Sequence, residues 1–237
     1  MFATCLADFF NLRLWSHGQE PGYNDIRLGL EELTSATMEA LTNARKNVNE
    51  LTIRLYGGWH GELPESGRHI LAITSAVIRE FPRHVGTRLR IQIADSPIWD
   101  PSLRMVDSVK QVPIRLPDCS ISHNPHCINP TNCSISILQS WWNGRCPEKL
   151  CRVRIEELGF MYRQKMVDTL LTADAITIVR DELSDILLIA SDDDDMLPAM
   201  LAISQLQFDA LLMRRRNRQE FYYSEILNLR HIPIHIW

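Results

Sequence analysis

Apolar and polar positions along the chain follow two periods, one of two residues and one of three to four. Residues 2–7 (FATCLA) form a short apolar run that stops at Asp8, the pattern of a buried strand. Ile26, Leu30, Leu33, Ala36, Ala40, Leu41 and Ala44 then recur at helical spacing over 25–46, with Asn24 or Asp25 as the N-cap. ELTIRLYGG (50–58) is alternating and β-branched before two glycines, which predicts a second strand. A helix is expected over 66–81, stopped by Pro82, and RLRIQIAD (88–95) reads as a third strand ending in an acid.

From Ser96 to about Cys151 neither period holds. Seven of the twelve prolines fall there, with five of the six cysteines. The segment at about 96–155 is therefore expected to be an irregular insertion within one domain spanning 1–237. Order returns afterwards. Residues 160–179 read as a helix, and SDILLIA (184–190) as a central parallel strand covered on both faces. Met196–Gln205 predicts a short helix, with Pro198 in its first turn where proline is tolerated. FDALLM (208–213) predicts a strand, RRRNR (214–218) a basic stretch, 220–229 a helix, and HIPIHIW (231–237) a closing strand. Alternating strands and helices place the chain in the α/β class, a three-layer α/β/α sandwich with a mostly parallel central sheet.

Composition narrows the function classes. At 237 residues, 45% hydrophobic and 23% charged, the chain is long enough to bury a substantial core. A net charge of −4 does not advertise nucleic-acid binding, and four of those negative charges are one run, Asp192 to Asp195. No apolar run is long enough to span a membrane. The N-terminus lacks a basic start and is interrupted by Asp8 and Asn11, a poor signal peptide, so a cytoplasmic protein is expected. Its cysteines are then read as thiols or metal ligands in preference to disulfides.

The chemistry concentrates at strand ends, where parallel α/β sheets form their sites. Asp8 and Asp95 end predicted strands, and Asp192–Asp195 follow another. Carboxylates gathered in one place repel, and a divalent cation resolves the repulsion. Mg²⁺ or Mn²⁺ suits an all-oxygen donor set and can activate water for displacement at phosphorus. The competing reading of the run is a solvated acidic turn. Asp168 and Asp174 lie six apart on an otherwise apolar helix; Asp168 is expected to face the site, with the other available as plain helix surface.

Three stretches resemble the NYN domain family of the PIN-like nuclease superfamily. ADFFNLRLW (7–15) is similar to the family's opening strand, with Asp8 and Asn11 matching. QKMVDTLLTADAI (164–176) is similar to its Lys-x-Val-Asp helix, with Lys165, Asp168 and Asp174 matching. ILLIASDDDDMLPAM (186–200) is similar to a strand followed by Ser-Gly-Asp-Ser-Asp-Phe-x-Pro, with Ser191, Asp193, Asp195 and Pro198 matching. The resemblance implies a metal-dependent endoribonuclease in which Asp8, Asp168, Asp193 and Asp195 surround Mg²⁺ or Mn²⁺ and Asn11 orients Asp8 or contacts a metal-bound water. RNA would be hydrolysed to 5′-phosphate and 3′-hydroxyl ends. The sequence departs from the family pattern where Asp192 replaces a glycine, Asp194 a small polar residue, Met196 an aromatic and Phe9 a glycine. A catalytically inactive module that binds RNA or protein is the alternative. A generic phosphatase using the same carboxylates is a third reading, and a homo-oligomer or protein partner stays open.

Other features suggest subsidiary roles. Arg214, Arg215 and Arg216, with Lys165, are candidate phosphate ligands, against the plainer reading of an exposed strand end. Arg68, Arg83, Arg88, His60 and His84 would add positive surface if brought together. Cys119, His123, His126, Cys127, Cys133, Cys146 and Cys151 include enough ligands for structural Zn²⁺, but no paired C-x-x-C is present and thiols in a folded loop compete. Trp141 and Trp142 suit base stacking or packing. No phosphate-cradling glycine loop and no G-x-S-x-G elbow occurs, which argues against nucleotide-dependent catalysis and serine hydrolysis.

Overall fold

The computed structural model describes residues 1–12, 14, 21–59, 65–84, 86–103, 109–113, 146, 148, 150–153, 160–164, 166–215, 227 and 230–237. Strands β1 (Phe2–Asp8), β2 (Glu50–Tyr56) and β3 (Arg88–Ile93) alternate with helices α1 (Tyr23–Asn43) and α2 (Glu65–Glu80). Farther along come β4 (Val109–Pro113), β5 (Phe160–Gln164), α3 (Val167–Arg180), β6 (Ile186–Ala190), α4 (Leu197–Gln205), β7 (Ala210–Arg214) and β8 (Ile234–Ile236). The expected helix over 220–229, and Lys165, Arg216, His60, Trp141, Trp142 and most of the Cys/His ligands, lie outside the described residues.

Six strands form one parallel sheet in the order β3-β2-β1-β6-β7-β8. The expected α/β class and parallel sheet are therefore found. One face carries Cys5, Ala7, Ile53, Leu55, Leu188 and Met213 against the apolar stripe of α1 and against α2. The other carries Leu6, Leu187, Ile189 and Leu212 against Leu171 and Ile178 of α3 and Met200 and Ile203 of α4. All five residues of β6 are buried, which explains why its sequence is continuously apolar and not alternating. Among the described residues, no helix is long and apolar enough to cross a membrane.

Several local expectations are corrected. Helix α1 is capped by neither Asn24 nor Asp25: Gly22 is its N-cap, and the Asp25 carboxylate accepts the Gly22 N–H at 2.8 Å. Residues 160–164 form β5, paired with β4, and not the start of a helix. Aromatic Phe160 and Tyr162 favour the strand, and Met166, left-handed at φ 64°, separates it from α3.

The chain divides into two compact units, one of Met1–Val109 with Gln164–Trp237, the other Lys110–Arg163. Residues 96–103, expected to open the irregular insertion, belong to the first unit. The reason is a buried polar node. The fully buried Asp174 carboxylate accepts from Tyr56 Oη (2.6 Å), Arg54 Nε (3.1 Å) and the Ile98 N–H (2.8 Å). Arg54 also donates to the Ser96 carbonyl. Asp174 is thus not helix surface; it fastens the chain after β3 to α3 and β2. The Tyr56 hydroxyl titrates well above its ordinary range, because of burial first and then the Asp174 charge.

Removing Asp174 would strand the Arg54 guanidinium, which is only 11% exposed. Asp174→Ala should lower the unfolding free energy by about 3–5 kcal/mol, the usual cost of breaking a buried ion pair. Asp174→Asn, which keeps an acceptor, should cost less. Urea denaturation followed by circular dichroism measures both.

Candidate active site

The strand order reverses direction between β1 and β6. From β1 the chain winds outward through β2 to β3, and from β6 through β7 to β8. Such a switch point opens a crevice at the carboxyl ends of the two central strands. Asp8 is the last residue of β1, and Ser191 and the aspartate run directly follow β6.

A chain of hydrogen bonds joins the two strand ends. Asn11 Nδ2 donates to Asp8 Oδ2 at 2.6 Å and to Asp193 Oδ2 at 3.3 Å. The Ser191 hydroxyl donates to Asp8 Oδ2 at 3.2 Å and accepts the Asp193 N–H at 3.1 Å. Asp193 Oδ1 accepts the Asp195 N–H and caps the single 3₁₀ turn Asp194–Met196 that leads into α4. Asp168 stands in the first turn of α3.

Electrostatics tie these groups to one region. Burial raises the Asp8 carboxyl to about 6; hydrogen bonds from Asn11 and Ser191 oppose this, and the Asp168 charge adds to it. Asp168 is also raised, first by partial burial, then by repulsion from Asp193 and Asp195. Asp168 thus links Asp8 on one side to Asp193 and Asp195 on the other, although Asp195 itself is exposed.

The four consecutive aspartates are not equivalent. Asp193, in extended conformation, and Asp195 are the pair that act on Asp168. Asp192 and Asp194 are engaged with β7. Arg214 is 3% exposed, and it donates to Asp194 Oδ1 at 2.7 Å and to the Asp192 carbonyl at 2.6 Å. The Arg215 N–H donates to Asp192 Oδ1 at 2.9 Å, and the Arg215 guanidinium pairs with Glu32. Against the expectation that Arg214 and Arg215 hold substrate phosphates, both guanidinium groups are engaged with acids of this chain. Sequence reasoning missed the pairing, yet a signal was present. Ala190 of β6 lies level with Met213 of β7, so in a parallel pair Ser191 and Asp192 fall beside Arg214 and Arg215.

The family's glycine after the first aspartate is Phe9 here. Phe9 is 1% exposed and packs edge-on against Trp59 at 5.2 Å between centroids. Trp59 in turn lies over Gly57, where a Cβ would meet the indole at 2.3 Å. The aromatic ring thus roots the turn after Asp8 in the core. Asp95, by contrast, is exposed and bonded by Ser96, with no bond to the other strand-end acids among the described residues.

No family model, curated protein or solved structure matches the chain. The likeness to the NYN domain family rests on the three sequence blocks alone.

The donor set consists of carboxylates with a hydroxyl and an amide, hard oxygen chemistry suited to Mg²⁺ or Mn²⁺. As arranged, no three His, Cys, Asp or Glu side chains among the described residues surround one point as metal ligands would. The Asn11 amide instead donates to two of the carboxylates.

Two outcomes are expected of the protein in chelator. Asp8 titrates near 6 folded against an ordinary 3.8, so folding favours its protonated form. Its penalty is absent below about pH 4, grows as pH rises, and is complete above about pH 6, amounting to roughly 3 kcal/mol. Asp8→Asn should remove that pH-dependent loss, read as unfolding free energy across this window. Arg214→Met should destabilise by about 1–3 kcal/mol, chiefly through loss of the bond to the Asp192 carbonyl, because the Asp194 carboxylate is partly exposed and can be hydrated; equal urea midpoints for variant and parent would contradict the role given to Arg214.

Proposed function

We propose that the protein is a metal-dependent endoribonuclease of the NYN, PIN-like type. The observation that carries this reading is the bridging of Asp8 and Asp193 by Asn11 at the switch point of a parallel sheet, with Asp168 near enough to feel Asp193 and Asp195 and to raise Asp8. Carboxylates held close against their own repulsion, with no ion pair to a basic side chain for Asp8, Asp168, Asp193 or Asp195 among the described residues, suit a divalent cation.

Asp8, Asp168 and Asp193 would hold the ion, with Asp195 reaching it from the exposed side. When bound, the ion supplies a water of lowered pKa and offsets phosphate charge. The chain supplies the rest. Asn11 and Ser191 fix the Asp8 carboxylate, Ser191 also holds the Asp193 backbone, and the 3₁₀ turn sets Asp193 and Asp195 in order. Phe9 and Trp59 keep the turn after Asp8 rigid. Cleavage would leave 5′-phosphate and 3′-hydroxyl ends.

One observation favours a second reading, a non-catalytic module that binds RNA or protein. The Asn11 amide already bridges Asp8 and Asp193, and a hydrogen-bonded ring of this kind holds without a cation.

Incubating the purified protein with labelled single-stranded and structured RNA separates the two. Cleavage is expected with Mn²⁺ or Mg²⁺ and not in chelator. Asp193→Asn should lower the rate by more than about a hundredfold, beyond the usual effect of losing an outer-shell partner, with the fold retained. Full activity in Asp193→Asn, or cleavage without metal, would sink the assignment; binding without turnover would favour the second reading. Because Asp8 must ionise to bind metal, Mn²⁺ affinity should weaken as pH falls through about 6, measurable by calorimetry.

A further inference from the structure

The edge of the sheet farthest from β8 carries a second assembly that the carboxylate site does not use. A cavity of about 460 Å³ lies around the start of β3 and the end of α2, lined by Arg79, Arg83, His84, Arg88 and Arg90. Apolar Phe81, Pro82, Leu89 and Ile91 complete its wall, and among the described residues no carboxylate lines it. Arg83, His84 and Arg88 line this one cavity with Arg79 and Arg90, all from residues 79–90; Arg68 is not among them.

All five cationic or imidazole side chains are exposed. Arg88 approaches Glu50 at 3.8 Å, a loose pair. Arg79, Arg83 and Arg90 form no ion pair among the described residues. This contrasts with Arg54, Arg214 and Arg215, each bound to an acid.

The backbone that presents them is fixed. Pro82 ends α2, and Gly86, at φ 76°, turns the chain back. The Leu89 N–H bonds the Arg83 carbonyl (2.9 Å), Thr87 Oγ1 the Val48 carbonyl (2.9 Å), and the Arg88 N–H the Asn49 carbonyl (3.0 Å). Arg90 also lines a neighbouring cavity of about 280 Å³ with Thr4, Thr52, Arg54 and Gln92, one strand nearer β1. Hydroxyl, amide and guanidinium donors therefore continue from the edge toward the centre of the sheet.

Positive charge on an edge strand guards against strand pairing. That role accounts for Arg88 and Arg90 but not for Arg79 and Arg83, which come from a helix and a turn and close on the same cavity. A concave surface with four guanidinium groups, apolar walls and no acid among its described residues fits a phosphodiester chain with an adjoining base.

We propose that the arginine-lined cavity at the start of β3 is a subsite for the RNA backbone, separate from the carboxylate site. It rests on the reading of RNA as substrate. Arg88 lies level with Phe2 in register, six residues before Asp8 and two strands away. That separation is about 20 Å along the strands and about 10 Å across them. A strand stacked at about 3.4 Å per nucleotide bridges it in roughly seven nucleotides, so longer RNA can engage both places at once.

The test measures binding in chelator, where cleavage plays no part. A short fluorescein-labelled single-stranded RNA of mixed sequence is titrated with protein over a range of KCl concentrations and followed by anisotropy. Arg79→Gln/Arg83→Gln/Arg90→Gln should bind at least about tenfold more weakly at low salt, and its slope of log affinity against log salt should shrink by about 2, at roughly 0.7 for each phosphate no longer neutralised. The corresponding triple Lys variant should keep most of the slope, and thermal unfolding should be unchanged in both. Unchanged affinity and slope in the Gln variant would overturn the proposal, as would absence of RNA binding by the parent. Displacement of the RNA by polyglutamate as effectively as by unlabelled RNA would also overturn it, marking a site for acidic peptides. Displacement by tripolyphosphate only at far higher concentration is expected of a site for a nucleic-acid chain, and equal potency would overturn the RNA assignment. Loss of binding in the Gln variant, with no cleavage by the parent under any metal, would uphold the subsite while the nuclease reading fell.

Discussion

The buried Arg214 guanidinium donates to both the Asp194 carboxylate and the Asp192 carbonyl, and the loop after β6 is organised around it. Two like charges about 4 Å apart repel by about 4 kcal/mol at an effective dielectric constant near 20. Four successive aspartates in one direction would multiply that. Asp193 is extended and Asp194–Met196 form a 3₁₀ turn, and Arg214 and the Arg215 N–H engage Asp194 and Asp192. Asp193 and Asp195 are then left to the crevice. The departure from the expected glycine and small residue therefore adds its charge beside β7 and not beside Asp8.

The same loop depends on sheet topology. Because β1 and β6 are adjacent and the chain winds away from them in opposite directions, their connections diverge and leave a crevice at their carboxyl ends. Polar groups there can stay partly hydrated, which is the condition under which several carboxylates persist on a folded chain. The apolar layers on either face supply the rigidity. Phe9, buried immediately after Asp8, fixes the direction in which that carboxylate leaves the strand.

Much of the fold was legible because each period reports a packing environment. The all-apolar β6 and the 3–4 stripe of α1 announce burial on two faces and on one. Legibility failed where one residue's role is decided by a distant partner. Asp174 looked like helix surface because Tyr56, Arg54 and Ile98 lie far away in sequence, and only the fold brings them to it. Residues 160–164 looked helical because helical periodicity in the following segment runs on backwards past Met166, whose left-handed backbone is invisible in a pattern of side chains. In the site, the acids were legible as a class, whereas their division into two pairs was not, since it is set by the register of β7 against β6.

Asn11 shows why such a site can stand in two states. Its amide is neutral, yet its two N–H groups present partial positive charge to Asp8 and Asp193 at once. This lessens the repulsion between strand ends enough for the chain to fold, but it cannot cancel it, and burial still leaves Asp8 titrating near 6. A full cation would lower the energy of the same two carboxylates further than an amide does. Burial of Asp8 thus leaves an electrostatic reason to take up a cation. That incomplete compensation, more than the number of aspartates, is what favours the site reading of the crevice after β1 and β6 over a solvated turn.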